Sequence, residues 1–170
     1  AVANFAVRCT EKLRRQGSVC QGITVFAWTS RFNEHVPEYT IHDSLTLPIA
    51  TNAQEEIVAA ALSILRAKYP KPMADSRPDR SDMSFHFKKA GVILWQISPD
   101  HPRQQDLFDP IDRSKQKKLM EAIDAINRKN GYGTIRQAIQ GTDCRFDLKR
   151  EYMSKQFTTN IHDILKVKTR

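Results

Sequence analysis

Nineteen carboxylates, five histidines and three cysteines are enough raw material for many catalytic or metal centres, so their spacing decides what chemistry is open. The histidines form no HExxH pair, and none lies near a cysteine at zinc-finger spacing. No Walker loop and no GxSxG turn occurs. Gly131-Tyr132-Gly133 follows a helical pattern instead of opening one, so it reads as a helix end and not as a phosphate cradle. Asp79 and Asp82 have the chemistry of metal ligands, but in a loop so rich in Arg and Pro they read as solvated. Asp43 falls on the apolar side of a strand pattern, where a hydrogen-bonded or edge-exposed carboxylate is commoner than a catalytic one. Cys9, Cys20 and Cys144 are odd in number and lack CxxC spacing, which reads as reduced thiols in a cytosolic protein. No acid, base or nucleophile stands out. No catalytic residue, metal ligand or cofactor is therefore assigned within this chain.

Two patterns point to binding instead. Residues 101–113, HPRQQDLFDPIDR, set one apolar pair, Leu107 and Phe108, among two prolines and five charged side chains. Such a segment has too few apolar residues to be core and too much Pro to be helix. The second pattern is charge. The net charge of +8 favours a polyanionic partner. Residues 1–110 hold 13 Lys and Arg against 12 Asp and Glu, whereas residues 111–170 hold 14 against 7. A nucleic-acid contact in the first part must therefore come from local patches.

The elements that would position these groups follow from periodicity. Val2, Phe5, Cys9 and Leu13 share one helical face, ending at Gln16-Gly17. No capping residue precedes them, and the expectation is a chain cut within a helix. CQGITVFAWT (20–29) alternates as a strand, SRFNEHVPE is a loop, and YTIHDSLTL (39–47) is a second strand closed by Pro48. Arg14 and Arg15 are expected to face solvent. Asn52 with Glu55 suggests a capping box, followed by the stripe Ile57, Val58, Ala61, Leu62 and Leu65, ending at Tyr69-Pro70. Residues 71–83 form a polar loop. FHFKKAGVILWQI (85–97) is a third strand, apolar on both sides from Val92 to Trp95 and so expected to be central. Ser114 would cap a third helix with the apolar line Leu119, Ile123 and Ile126, ended by Asn130-Gly131. GTIRQAIQG would add a short strand, and a basic tail runs to Arg170. No run reaches the 18 or so apolar residues of a membrane span, and no signal peptide opens the chain.

The order helix, strand, strand, helix, strand is that of a split βαβ (ferredoxin-like) unit lacking its first strand. The expected fold class is α+β, with both helices on one face of the sheet and the other face open. The expected division is a sheet domain over 1–99, a linker over 100–113 and a small basic domain over 114–170.

Gln104-Gln105-Asp106-Leu107-Phe108 resembles the peptide by which bacterial DNA polymerases and repair proteins bind the sliding clamp, roughly Gln-Leu-Asp/Ser-Leu-Phe. It departs at Gln105, where that pattern prefers Leu. TEKLRRQG, ITVFAWTSRFN, TIHDSLTLP and KKAGVILWQISPD resemble the little-finger domain of Y-family translesion DNA polymerases of the UmuC type. GYGTIRQAIQG and LKREYMSKQFTTNIHDILKVK resemble the terminal domain of the same type. The resemblance implies a domain that binds primer-template DNA through phosphates. The candidates are Thr29, Ser30 and Arg31 at one strand end, Ser44 and Thr46 on the next strand, and Lys88 and Lys89 entering the third. Trp28 and Trp95 are expected to pack instead of stacking on bases, since RNP-type aromatic motifs are absent.

It further implies a parent polymerase acting in the SOS response, with Mg²⁺ held by a palm outside this chain, a UmuD-type subunit, RecA, and a cytoplasmic, nucleoid-associated setting. Two other readings stay open. One is a free-standing nucleic-acid-binding module, and the other is a clamp-binding adaptor without polymerase activity.

Overall fold

The computed structural model describes residues 1–32, 38–69, 87–100, 109, 111–142 and 153–165. Helix α1 spans Val2–Arg15 and turns Val2, Ala3, Ala6, Val7 and Leu13 into the core, with Phe5 and Cys9 half-buried at the margin. Thr10 is buried on the same face because its hydroxyl donates back to the Val7 carbonyl at 2.7 Å, which satisfies it locally. Gly17 ends the helix at φ +62°, in the left-handed region where a Cβ would be strained.

Three strands follow: β1 (Ser18–Thr29), β2 (Thr40–Thr51) and, after helix α2 (Gln54–Lys68), β3 (Phe87–Pro99). They form an antiparallel sheet in the order β2-β1-β3. The α+β class with helices on one face is as expected. The place of β3 is not: β1 is the middle strand, and among the described residues nothing pairs with the outer edge of β3. β3 is apolar on both sides for a different reason. Ala90, Val92 and Leu94 face the helices, while Trp95 lies over Gly22 on the opposite face.

Strand β2 also runs past Pro48, which sequence makes its end. Between the pairs Gly22↔Thr46 and Cys20↔Thr51 the register slips, so β2 carries extra residues where β1 advances two. A proline inside that bulge, on a flanking strand, has no ladder hydrogen bond to forfeit.

The core forms where β1 meets the helices. Ile23 and Val25 are fully buried against Ala6 and Val7 of α1 and Ile57, Val58 and Ala61 of α2, with Leu47, Leu62 and Leu65 closing the margin. Each such aliphatic contributes about 1.5–3 kcal/mol on burial. Cys20 belongs to this core, and burial, reinforced by neighbouring Cys9, pushes its thiol up to about 11. Cys144 lies outside the described residues, as do Asp79 and Asp82.

The cap of α2 differs from expectation. Ala53, not Asn52, is the N-cap and carries no side-chain cap bond; Thr51 Oγ1 accepts from the Ala53 N–H and donates to Glu56, both at 3.1 Å, while Asn52 donates to the Ser18 carbonyl. Asp43 is hydrogen-bonded, with Lys68 at 3.3 Å and the Ser44 N–H at 2.9 Å. The Ser44 bond first, then Lys68, holds its carboxyl below the usual range.

Helix α3 (Arg113–Asn130) is capped by Asp112, whose Oδ1 accepts from the Lys115 N–H, and not by Ser114. Gly131 ends it at φ +105°, as expected. Of its apolar residues only Met120 is buried, while Leu119 and Ile126 of the expected line are exposed. Polar bonds hold the helix in place. Arg14 donates to both oxygens of Asp124 at 2.6 and 2.7 Å and to the Asn52 carbonyl at 3.1 Å. Arg113 bonds Glu56 at 2.6 Å, Gln116 bonds the same carboxylate at 2.9 Å, and Lys117 reaches Asp100 at 3.1 Å. Arg14 is thus not solvent-facing; its side chain is 9 % exposed, whereas Arg15 is exposed. Where a strand is expected over 133–141, Ala138–Gln140 form a single 3-10 turn with a reciprocal Gln137–Gln140 cap. Gln140 then exchanges two 3.0 Å bonds with Asn4.

Replacing Arg14 by Ala strands Asp124 beside the helix pair, so urea unfolding is expected to show a loss of about 2 kcal/mol. Arg15→Ala should stay within about 0.5 kcal/mol. Equal losses would mean that the Arg14 pair does not hold α3.

Candidate nucleic-acid interface

Strand alternation about β1 sorts its side chains into two sets. Ile23, Val25 and Ala27 enter the helical side. Gly22, Thr24, Phe26 and Trp28 face the other way, where no helix lies among the described residues. The register brings Thr46, Ser44, His42 and Thr40 of β2 opposite them in that order, and Trp95, Ile93, Gly91 and Lys89 of β3 on the other flank. Contacts confirm the shared face. Thr24 and Ser44 hydroxyls lie 2.7 Å apart, and Phe26 stacks on Trp28 at 5.2 Å. The Lys89 ammonium sits 5.1 Å from the Trp28 ring centre.

Two glycines make this surface possible. A Cβ on Gly22 would come within 2.2 Å of the Trp95 ring, and one on Gly91 within 2.3 Å of Phe26. Each ring lies across the backbone of its cross-strand glycine, so the sheet shelters its own aromatics without a second layer of structure. The sequence carries a signal for this, since a glycine inside a strand marks a close approach, but it does not say which ring approaches. Trp28 and Trp95 do pack, as expected, yet they do so on the open side.

The face carries Lys89, His42 and four hydroxyls (Thr24, Thr40, Ser44 and Thr46), and these twelve positions include no carboxylate. Asp43 points to the other side, toward Lys68 of α2. Of the phosphate-contact candidates, Ser44, Thr46 and Lys89 stand together here. Lys88 is exposed beside Lys89, and Arg31 is exposed just past the end of β1. Ser30 accepts a bond from the Phe32 N–H at 3.3 Å. Thr29 departs from expectation: it is 3 % exposed, and its Oγ1 accepts from the Tyr39 N–H at 2.9 Å, so it fixes the mouth of the hairpin. Gln104, Gln105, Asp106, Leu107 and Phe108 lie outside the described residues. Among the described residues no group of three or more His, Cys, Asp or Glu side chains is placed to hold a metal ion, and no helix is long and apolar enough to cross a membrane. A cleft of about 490 Å³ between α1 and α3 is lined by charges of both signs, including Glu11, Arg15, Lys117 and Glu121, and contains none of the candidate residues.

Comparison with known proteins places these features in a family. Residues 1–107 match the model of the impB/mucB/samB family C-terminal domain, and residues 117–167 match a domain of unknown function (DUF4113). Protein UmuC of Salmonella typhimurium strain LT2 is 34 % identical over 169 residues, covering 99 % of this chain and 37 % of that protein. Protein ImpB of Salmonella typhimurium and protein MucB of Escherichia coli are each 33 % identical over 165 residues, covering 96 % of this chain and 36 % of theirs. The chain therefore spans a little over a third of the length of the relatives it matches.

Gly22→Ala tests the aromatic cover. Forcing a methyl under Trp95 should cost about 1–3 kcal/mol in chemical unfolding and shift tryptophan emission to the red as the indole lifts into water. Native stability with unchanged emission would mean that the ring does not rest on Gly22.

Proposed function

The chain belongs to the impB/mucB/samB family, matching its C-terminal domain over residues 1–107, and from that premise we propose that it is the DNA-placing and clamp-tethering portion of an error-prone translesion DNA polymerase acting in SOS mutagenesis. One observation carries the DNA reading: the open sheet face presents hydroxyls and a lysine without a carboxylate. Such a surface suits a polyanion, and small hydroxyls with lysines hold sugar-phosphate backbone without reading bases. A polymerase that must accept damaged templates needs that indifference to sequence. On this reading Ser30, Arg31, Ser44, Thr46, Lys88 and Lys89 serve primer-template DNA, and Thr29 shapes the hairpin that carries them.

Tethering is assigned to Gln104, Gln105, Asp106, Leu107 and Phe108. Leu107 and Phe108 would fill an apolar pocket of the sliding clamp while Gln104 hydrogen-bonds at its rim, and the flanking prolines lower the entropy lost on ordering. Nucleotide addition with Mg²⁺ belongs on this reading to the part of the relatives that this chain does not span. A UmuD-type subunit and RecA are the proposed further partners, in a cytoplasmic, nucleoid-associated setting. No residue of this chain is assigned to either.

Changing Lys88 and Lys89 together to Ala should weaken duplex binding for every sequence and flatten the salt dependence by up to about two units of slope. An unchanged slope would remove both lysines from the interface. Replacing Leu107 and Phe108 by Ala should abolish clamp binding and leave thermal unfolding where it was. A marked loss of stability would instead make the pair part of the protein's own core.

A further inference from the structure

Hydroxyls and lysines account for contact with phosphates, but they leave the aromatic content of the open face unexplained. Trp28 is 37 % exposed, and Ile93, one strand over on the same face, is 49 % exposed. Trp28 stands at the end of the face where Lys89 and Thr40 are its cross-strand neighbours. Phe26 stacks on the indole, and the Lys89 ammonium lies over the ring 5.1 Å from its centre, so a base that stacks there displaces that lysine toward its own phosphate. Phe26 is itself seated on Gly91, so the ring that backs Trp28 is fixed to the sheet, and among the described residues no element covers the indole. Rigid aromatics on a sheet, with a lysine beside them and no carboxylate among them, suit unpaired nucleic acid. Bases stack on the rings while the backbone tracks the positive charge. A paired duplex keeps its bases stacked on one another and leaves such a ring idle.

We propose that this face also holds an unpaired stretch of DNA, with a base stacking at Trp28 and with Lys89 drawing in its backbone. The inference rests on the DNA-placing reading of the same face and narrows it, from phosphate rails alone to rails plus one or more splayed bases. The aromatic stack contributes affinity without reading sequence, because every base offers a π-face.

The test uses the full 170-residue chain. Trp28 and Trp95 are its two tryptophans, so Trp95→Phe leaves Trp28 as the only indole. Its emission should be quenched by an oligothymidine of about ten nucleotides, within the site size of a small single-strand-binding domain, and not by an abasic oligomer of the same length. Trp28→Ala should lose about tenfold affinity for oligothymidine, the loss of one base–aromatic stack, with little change for the abasic oligomer or a blunt duplex. Trp28→Phe, which keeps the contact with Phe26, should retain most of the binding and guards against a folding defect in the alanine variant. Absent quenching, or equal losses on all three ligands, would overturn the proposal and leave Trp28 a structural residue or a protein contact. Failure of the unaltered chain to bind duplex would instead sink the DNA-placing reading itself.

Discussion

Everything in this protein depends on β1 being paired on both sides. Its nine-residue stretch from Cys20 to Trp28 is bonded to β2 on one edge and β3 on the other, so its register is over-determined. A slip of one residue would put Phe26 and Trp28 into the helices and Ile23 and Val25 into water, since side chains alternate with period two. The fully buried Ile23 and Val25 make that slip prohibitive. The same alternation that fixes the core thereby fixes the opposite face. Positioning of the proposed binding surface costs no separate device.

An open sheet face carries a risk, because apolar rings in water invite association. The cross-strand glycines limit it. Trp95 over Gly22 and Phe26 over Gly91 lie against backbone, which hides part of each ring while leaving the sheet accessible. Charge is sorted to match. The nearest carboxylate along β2, Asp43, turns to Lys68 on the helical side. The hydroxyl-bearing residues and Lys89 remain on the open side. Packing on one face and the proposed partner chemistry on the other are thus separated by a single pleat.

Much of this was legible in the residues, and the misses share a cause. The β1–β2 hairpin, the α2 stripe from Ile57 to Leu65 and the glycine stops at Gly17 and Gly131 are local patterns, and they hold. The position of β3 was misread because periodicity reports which faces of a strand are apolar, not which edge is paired. Trp95 made β3 look two-sided by covering a glycine that lies 73 positions earlier in the chain. Arg14 was misread because its partner, Asp124, is 110 residues away. The N-caps at Ala53 and Asp112 differ from Asn52 and Ser114 by one or two places. In a cluster of capping residues the geometry, not the residue type, selects among them. Thr29 has the right chemistry for a phosphate, yet the hairpin mouth takes its hydroxyl first. The peptide at 104–108 is legible only in the sequence.

The attachment of α3 follows a different logic from the core. One buried methionine and a set of ion pairs hold it, and ion pairs that must be desolvated give orientation more than net stability. Their placement is telling. Lys117 bonds Asp100 and Arg113 bonds Asp109, so the first turns of one helix hold residues on both sides of segment 101–108. Arg113 is itself anchored to Glu56 of α2, and its hydrogen bond to Asp109 holds that carboxyl below the usual range. On the proposed reading, a clamp that takes Leu107 and Phe108 is therefore joined to the sheet through described anchors on both sides of the peptide, with a reach on the order of 30 Å at most by chain length alone. A long flexible tether would let the clamp drift from the duplex. On the same reading, anchors at Asp100 and Asp109 on the helical side would keep a bound clamp close to the sheet.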